Sequence, residues 1–393
     1  MSRETEKFNR ALQKFLNDNP DIEFEKAKDE FLKMYNSGEY KLDDDFSKAD
    51  DLYEEALKLE DANQVIDALK QVLKICPKHY EAKGQLILME TKDNNEKALR
   101  MQSLLNEIKI DLEQNEEINF EKFERTLWLN IEARSYLRNL FKLMLLYGEM
   151  DDFKNALEKA EELIKLDPEN HQNQALFYLD YLLEQKRYDD VLKESENFFK
   201  NETQAKYLFI SLLASIFKRD EALEDKYIKE ISKYNLTYLC FLIGVVNLEE
   251  EDYNQIFSEP FVEADSFEDA ARTFFCLNKV VFRNIDAINE FADKKAVTVI
   301  DTLDPTKVGI ELLFIMQGRR EAKLDEVVQY IEKITPEMDF AALKSKNRDF
   351  IRKELIKLKN KRYLDFHDSK YYLTYLGYSV LRFLIGEDNN EDN

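Results

Sequence analysis

The sequence predicts a mainly α chain in which tandem helix pairs fill residues 46–300 and a small basic domain follows at residues 305–386. Three observations carry this. The 393 residues include only 8 Gly and 6 Pro but 35% charged side chains, a composition of long helices and short turns. Two apolar runs end alike, at Pro77 and Pro168. The charge also reverses near Asp304: residues 1–304 carry 41 Lys or Arg against 65 Asp or Glu, whereas residues 305–386 carry 16 against 11, in a chain of net charge −23. A chain of this length is expected to make two or three domains.

The first 45 residues read as N-terminal helices. Their opening, "MSRETEKFNR", has no apolar signal core, and the longest apolar run, "LTYLCFLIGVVNL", is too short to span a bilayer. Cys76, Cys240 and Cys276 sit in apolar surroundings without metal or redox spacing, and are expected as small buried hydrophobes in a reducing compartment. A cytoplasmic protein with no membrane partner is the expectation.

Next come two helices, "FSKADDLYEEALKLED" and "ANQVIDALKQVLKICP", the second closing at Pro77 because a proline cannot donate into the preceding turn. Ile75, Leu73 and Val72 precede Pro77 at the same offsets at which Leu166, Ile164 and Leu163 precede Pro168. In "LYGEMDDFKNALEKAEELIKLDP", Tyr147 falls on a first helix, Phe153 at the turn and Ala156 at the start of a second. Tyr188 and Val191 repeat Phe153 and Ala156 after 35 residues. This layout resembles the tetratricopeptide repeat, with Leu163 and Phe198 where a small residue is usual. "TQAKYLFISLLASIF" and "EALEDKYIKEISKY" form a further pair. One pair cannot bury both its apolar stripes, so pairs stack into a superhelix with a concave groove for a protein or peptide; the alternative is a spacer.

Within this body, Glu132, Arg134, Tyr136 and Arg138 form an E-x-R-x-Y-x-R series, with Gln172 four residues after Pro168. Over roughly residues 50–290 the chain resembles bacterial tetratricopeptide proteins related to the suppressor-of-tumorigenicity family, departing at Ser135 (often proline there) and His171 (usually Asn). The resemblance implies a repeat scaffold and no reaction. Arg134 and Arg138 share one helix face, as Glu132 and Tyr136 are expected to do. The arginines are read either as structural bridges to acids or, with Tyr136, as a peptide or anion site.

After Asp304, placed as a cap with Pro305 at the first helical position, a helix "DPTKVGIELLFIMQ", a short helix "LDEVVQYIEKI" and the turn "TPEMD" are expected. A longer helix then runs from about Phe340 to Asn360, burying Leu343, Phe350, Ile351, Leu355 and Leu358. Lys346, Lys353 and Lys357 fall on one flank, Arg348, Arg352 and Lys359 on the other. "RYLDF" and "YYLT" read as strands around the turn "HDSK", and "YLGYSVLRFL" as a last helix. The run "KLKNKRYLDFHDSKYYLTYLGYSVL" resembles the end of winged-helix domains in bacterial regulators. The resemblance implies a recognition helix whose cations, with Lys370 on the wing, meet duplex DNA. Alternatively the basic helix binds protein or packs on the acidic body. Residues 387–393, with four acids, are expected to be a disordered tail.

Nothing points to catalysis, a cofactor or a metal. His79, His171 and His367 lie far apart, and no two glycines are closer than nine residues, so no phosphate-cradling loop exists. "LDDDF" at 42–46 lacks the glycine and distal glutamate of a calcium loop. The expectation is a non-enzymatic recognition scaffold, with a DNA-binding transcriptional regulator as the alternative.

Overall fold

A computed structural model of the chain describes all residues except 1–2, 41–43, 116–117, 124, 247, 249, 259–261, 304, 320, 334–341, 344–345 and 386–393. The expected cap Asp304, the turn at 335–339, the helix start at Phe340 and the acidic tail therefore lie outside the described residues. The chain is mainly α-helical, with consecutive helices packed in tandem and a small sheet near the C-terminus. It divides into two compact units, residues 1–181 and 182–393. No described helix is long and apolar enough to cross a membrane.

In the first unit, α1 (Arg3–Asp18) and α2 (Phe24–Ser37) form a hairpin around Ala11, Phe15, Ala27 and Phe31. Then follow α3 (Asp45–Ala56), α4 (Ala62–Ile75), α5 (Tyr80–Glu90), α6 (Asn94–Asn115), a single 3-10 turn at Leu127–Leu129, α7 (Arg134–Glu149) and α8 (Phe153–Leu166). Aspartates start several of these helices: the side chains of Asp44, Asp61 and Asp152 accept from the N–H groups of Ser47, Gln64 and Asn155, filling orphan donors of the first turn. As expected, α4 and α8 stop just before Pro77 and Pro168. Leu69, Val72, Ala156, Ala160 and Leu163 face the core.

α9 (Gln174–Glu184) leads into the second unit, where α10 (Tyr188–Glu202), α11 (Ala205–Lys218) and α12 (Glu221–Tyr234) pack in succession. Phe153 and Tyr188 are both first residues of their helices, so the 35-residue spacing is structural. The turns repeat as well. Asp151, Lys186 and Arg219 adopt left-handed backbone, 35 and then 33 residues apart. The next residue in each case donates five residues back: Asp152 to Tyr147, Arg187 to Leu182 and Asp220 to Ser215. This is a Schellman closure, usually made by glycine at the left-handed position. α11 is apolar on nearly all sides and wholly buried from Ala205 to Ile216. Cys240, on α13 (Thr237–Leu242), is buried, and burial pushes its thiol up to about 12. Cys76 and Cys276 are only half-buried, which corrects the expectation of three buried thiols.

α14 (Glu250–Ser258), α15 (Phe267–Cys276), α16 (Asn278–Arg283) and α17 (Ile285–Leu303) complete the helices before the charge reversal. After it come α18 (Lys307–Arg319), β1 (Glu321–Ala322), α19 (Leu324–Glu332), α20 (Arg348–Asn360), β2 (Leu364–His367), β3 (Lys370–Leu373) and α21 (Tyr375–Ile385). The sheet is antiparallel in the order β1-β3-β2, with Ala322 opposite Tyr371 and Asp365 opposite Tyr372. β1 was not anticipated. The hairpin turn is two residues, Asp368 and Ser369, both with positive φ, the twist that suits a tight hairpin.

The stretch "LTYLG" at Leu373–Gly377 has a physical basis. The Thr374 hydroxyl donates to the Arg362 carbonyl at 2.7 Å and accepts from Gly377 N–H, starting α21. A Cβ on Gly377 would lie 2.1 Å from the Tyr363 carbonyl oxygen, so α21 closes against the end of α20 only where a side chain is absent. Tyr363 Oη and Lys361 Nζ donate to the Leu303 carbonyl at 2.7 and 2.9 Å, tying this segment to the end of α17.

Candidate nucleic-acid interface

α20 is shorter than expected. Asn347 caps it, accepting from Phe350 N–H at 2.9 Å, and the buried Glu311 carboxylate takes the N–H groups of Ala342 and Leu343 into a turn just before. A cap and a turn satisfy the donors that a longer helix would have used. Leu343 is buried but off the helix, Phe350 is half-buried, and Lys346 precedes the cap instead of sharing the flank of Lys353 and Lys357.

Ile351, Leu355 and Leu358 face inward together with Glu354. That buried carboxylate accepts from Thr306 Oγ1 and from Lys357 Nζ, which reaches back along its own helix. The exposed flanks of α20 and the residue before its cap are cationic: Lys346, Arg348, Arg352, Lys353, Lys357 and Lys359 are all exposed. Arg348 pairs with Asp325 at 2.7 Å, and Lys370 on β3 pairs with Glu321 on β1. Hydrogen bonding to Lys370 holds the Glu321 carboxyl below its usual range. Among the described residues, Lys346, Arg352, Lys353 and Lys359 have no carboxylate within ion-pair distance.

Arg348, Arg352 and Lys359 line one side of a groove of about 530 Å³, with Ile356 among them and Phe366, Ser369 and Tyr371 on the hairpin. Ile356 and Phe366 are 39% and 42% exposed. Lys359 Nζ lies 6.0 Å over the Phe366 ring, and Phe366 tilts on Tyr371. The apolar members were missed by charge counting. The signal for Ile356 was its place four residues after Arg352 and three before Lys359, on the cationic face.

The arginine pair of the first unit is built differently. Arg134 is 2% exposed. Its Nη1 donates to Glu6 Oε1 at 2.9 Å and its Nε to the Trp128 carbonyl at 2.8 Å. Arg138 donates to both Glu6 oxygens and to Glu81 at 2.6 Å. Burial opposes its charge, but Glu81 and Glu6 outweigh burial and hold the guanidinium above its ordinary value. Both cations also lie over the Trp128 indole. Tyr136 is not with them: it donates to Glu162 at 2.7 Å, and burial and that carboxylate raise its pKa. Glu132 lies in the turn before α7 and pairs with Arg10 at 3.4 Å, so it shares no helix face with Tyr136. Gln172 reaches back to the Leu137 carbonyl at 3.3 Å, fastening the turn after Pro168 to α7.

No family model matches the chain, and no curated protein matches it significantly.

Proposed function

We propose that residues 305–385 form a winged-helix module that binds duplex nucleic acid through α20, carried by a tetratricopeptide-like helical body that binds protein. The order α18, β1, α19, α20, β2, β3, α21, with β1 on the hairpin, supports the winged-helix reading. In that order α20 takes the place of the recognition helix and β2–β3 that of the wing.

One observation carries the proposal: the six cations on and before α20 are exposed, and four of them are without a carboxylate partner among the described residues. A helix meant to dock on the acidic body would spend such charges in ion pairs, and the pairs of α20 go instead to Asp325 and Glu354. Phosphate contacts place a protein on a duplex, and base contacts then give sequence preference. The test is fluorescence anisotropy of a labelled duplex of about 20 base pairs, two helical turns, titrated with the full chain. Binding that Arg352→Glu with Lys353→Glu abolishes supports the reading. Unchanged affinity in that variant sinks it.

A further inference from the structure

The α1–α2 hairpin is joined to the rest of its unit in an unusual way. Its apolar side chains are satisfied at home: Phe8, Leu12 and Leu16 pack with Ala11, Phe15, Ala27, Phe31, Met34 and Tyr35. Among the described residues, several ion pairs join it to the rest of the unit. Glu6 sits on Arg134 and Arg138; Lys7 meets Asp51 at 2.6 Å and Glu54 at 2.9 Å; Arg10 meets Glu132 and lies 4.0 Å over the Phe46 ring; Lys14 meets Asp44 at 3.8 Å. The seam is also open. A cavity of about 200 Å³ runs beside Arg10, Phe46, His79 and Arg138, and a second of about 810 Å³ lies between α1 and Leu129–Glu132. A segment belonging to a folded core is close-packed against it; a docked ligand meets its site through a few anchors and trapped space.

We propose that the Arg134–Arg138 pair is a carboxylate-recognition seat for an amphipathic helix, and that α1 occupies it as an internal pseudo-ligand which a partner protein's helix of the same charge pattern displaces. Charge complementarity specifies the occupant. It presents one glutamate to the two guanidiniums, which can fork onto both its oxygens, and cations one and four residues later to the Asp51/Glu54 and Glu132 rim. When Glu6 leaves, Arg138 keeps Glu81 and Arg134 keeps the Trp128 carbonyl. The inference rests on reading the helical body as protein-binding and is independent of nucleic-acid binding.

The test uses the full chain and one probe, a fluorescent peptide of residues 3–37. Hydrogen exchange of the wild type should show α1–α2 opening in a step that leaves α7 and α8 protected. Glu6→Arg, which sets a cation against two arginines, should hold the hairpin off and let the peptide bind at least about tenfold more tightly than to wild type, a difference of about 1.4 kcal/mol. A Glu6→Gln peptide should lose about that factor. Exchange of α1 only together with α7 would overturn the proposal whether or not Glu6→Arg folds. So would peptide binding indifferent to Glu6. Loss of duplex binding with this behaviour intact would count against the C-terminal reading alone.

Discussion

Replacing Gly377 by alanine should disable the C-terminal module while leaving the rest of the chain folded. The added Cβ would sit 2.1 Å from the Tyr363 carbonyl oxygen, 2.9 Å from its carbon and 3.0 Å from Leu373 Cδ1. The first two are backbone atoms and cannot swing aside as a side-chain tip can, so α21 must back away. Overpacking costs about 1–3 kcal/mol and sometimes more. Retreat also breaks the cap between Thr374 and Gly377, worth about 1 kcal/mol. The sum is roughly 2–4 kcal/mol on the local stability of α20, the hairpin and α21. Hydrogen exchange resolved by segment is the assay, since local opening there need not involve the other helices. Gly318→Ala on α18 is the control. Nothing lies within 4 Å of its new Cβ, and in a helix the change should stabilise by about 0.5–1 kcal/mol. A cost below about 1 kcal/mol for Gly377→Ala would refute the close approach as the reason for glycine.

Lys186→Gly should stabilise the turn between α9 and α10 by about 0.5–1 kcal/mol, because left-handed backbone costs an L-residue about 1–2 kcal/mol while glycine's extra unfolded-state entropy returns part of that; urea unfolding reads it, and a loss of stability contradicts the strain argument. Glu224 is buried on α12, and burial raises its carboxyl pKa above the ordinary value, with Lys295 opposing. The folded state then holds its proton more tightly than the unfolded state, so this group's contribution falls as pH rises from the ordinary value through the raised one. Glu224→Gln should therefore stabilise at pH 7 and lose that gain near pH 3, and an equal gain at both pH values would show that titration is not its source.

Legibility followed sequence distance. The helix ends before Pro77 and Pro168, the 35-residue spacing of Phe153 and Tyr188 and the late hairpin all depend on residues within a turn or two of each other, and all could be read from the chain. β1 could not, since two residues carry no period and are strands only because Tyr371 and Tyr372 lie opposite. The start of α20 was misplaced because Asn347 caps it and Glu311, more than thirty residues upstream, claims the preceding N–H groups. Arg134 and Arg138 stood out in sequence; their partner Glu6, 128 residues from Arg134, did not, because one acid among 80 has no local mark. At the candidate interface the cations were visible by counting. The groove they share with Phe366 exists only once the hairpin folds beside the helix.

The central claim, that the exposed cations of α20 meet a phosphate backbone, is tested most directly by the salt dependence of duplex binding to the full chain. If Lys346, Arg352, Lys353 and Lys359 each neutralise one phosphate, log affinity should fall with log salt at a slope of about −3.6, so affinity drops roughly 150-fold between about 50 and about 200 mM salt. Arg352→Ala with Lys353→Ala should flatten that slope by about two contacts' worth, near −1.8. A slope that these substitutions leave unchanged, or no binding at about 50 mM salt, would contradict the account.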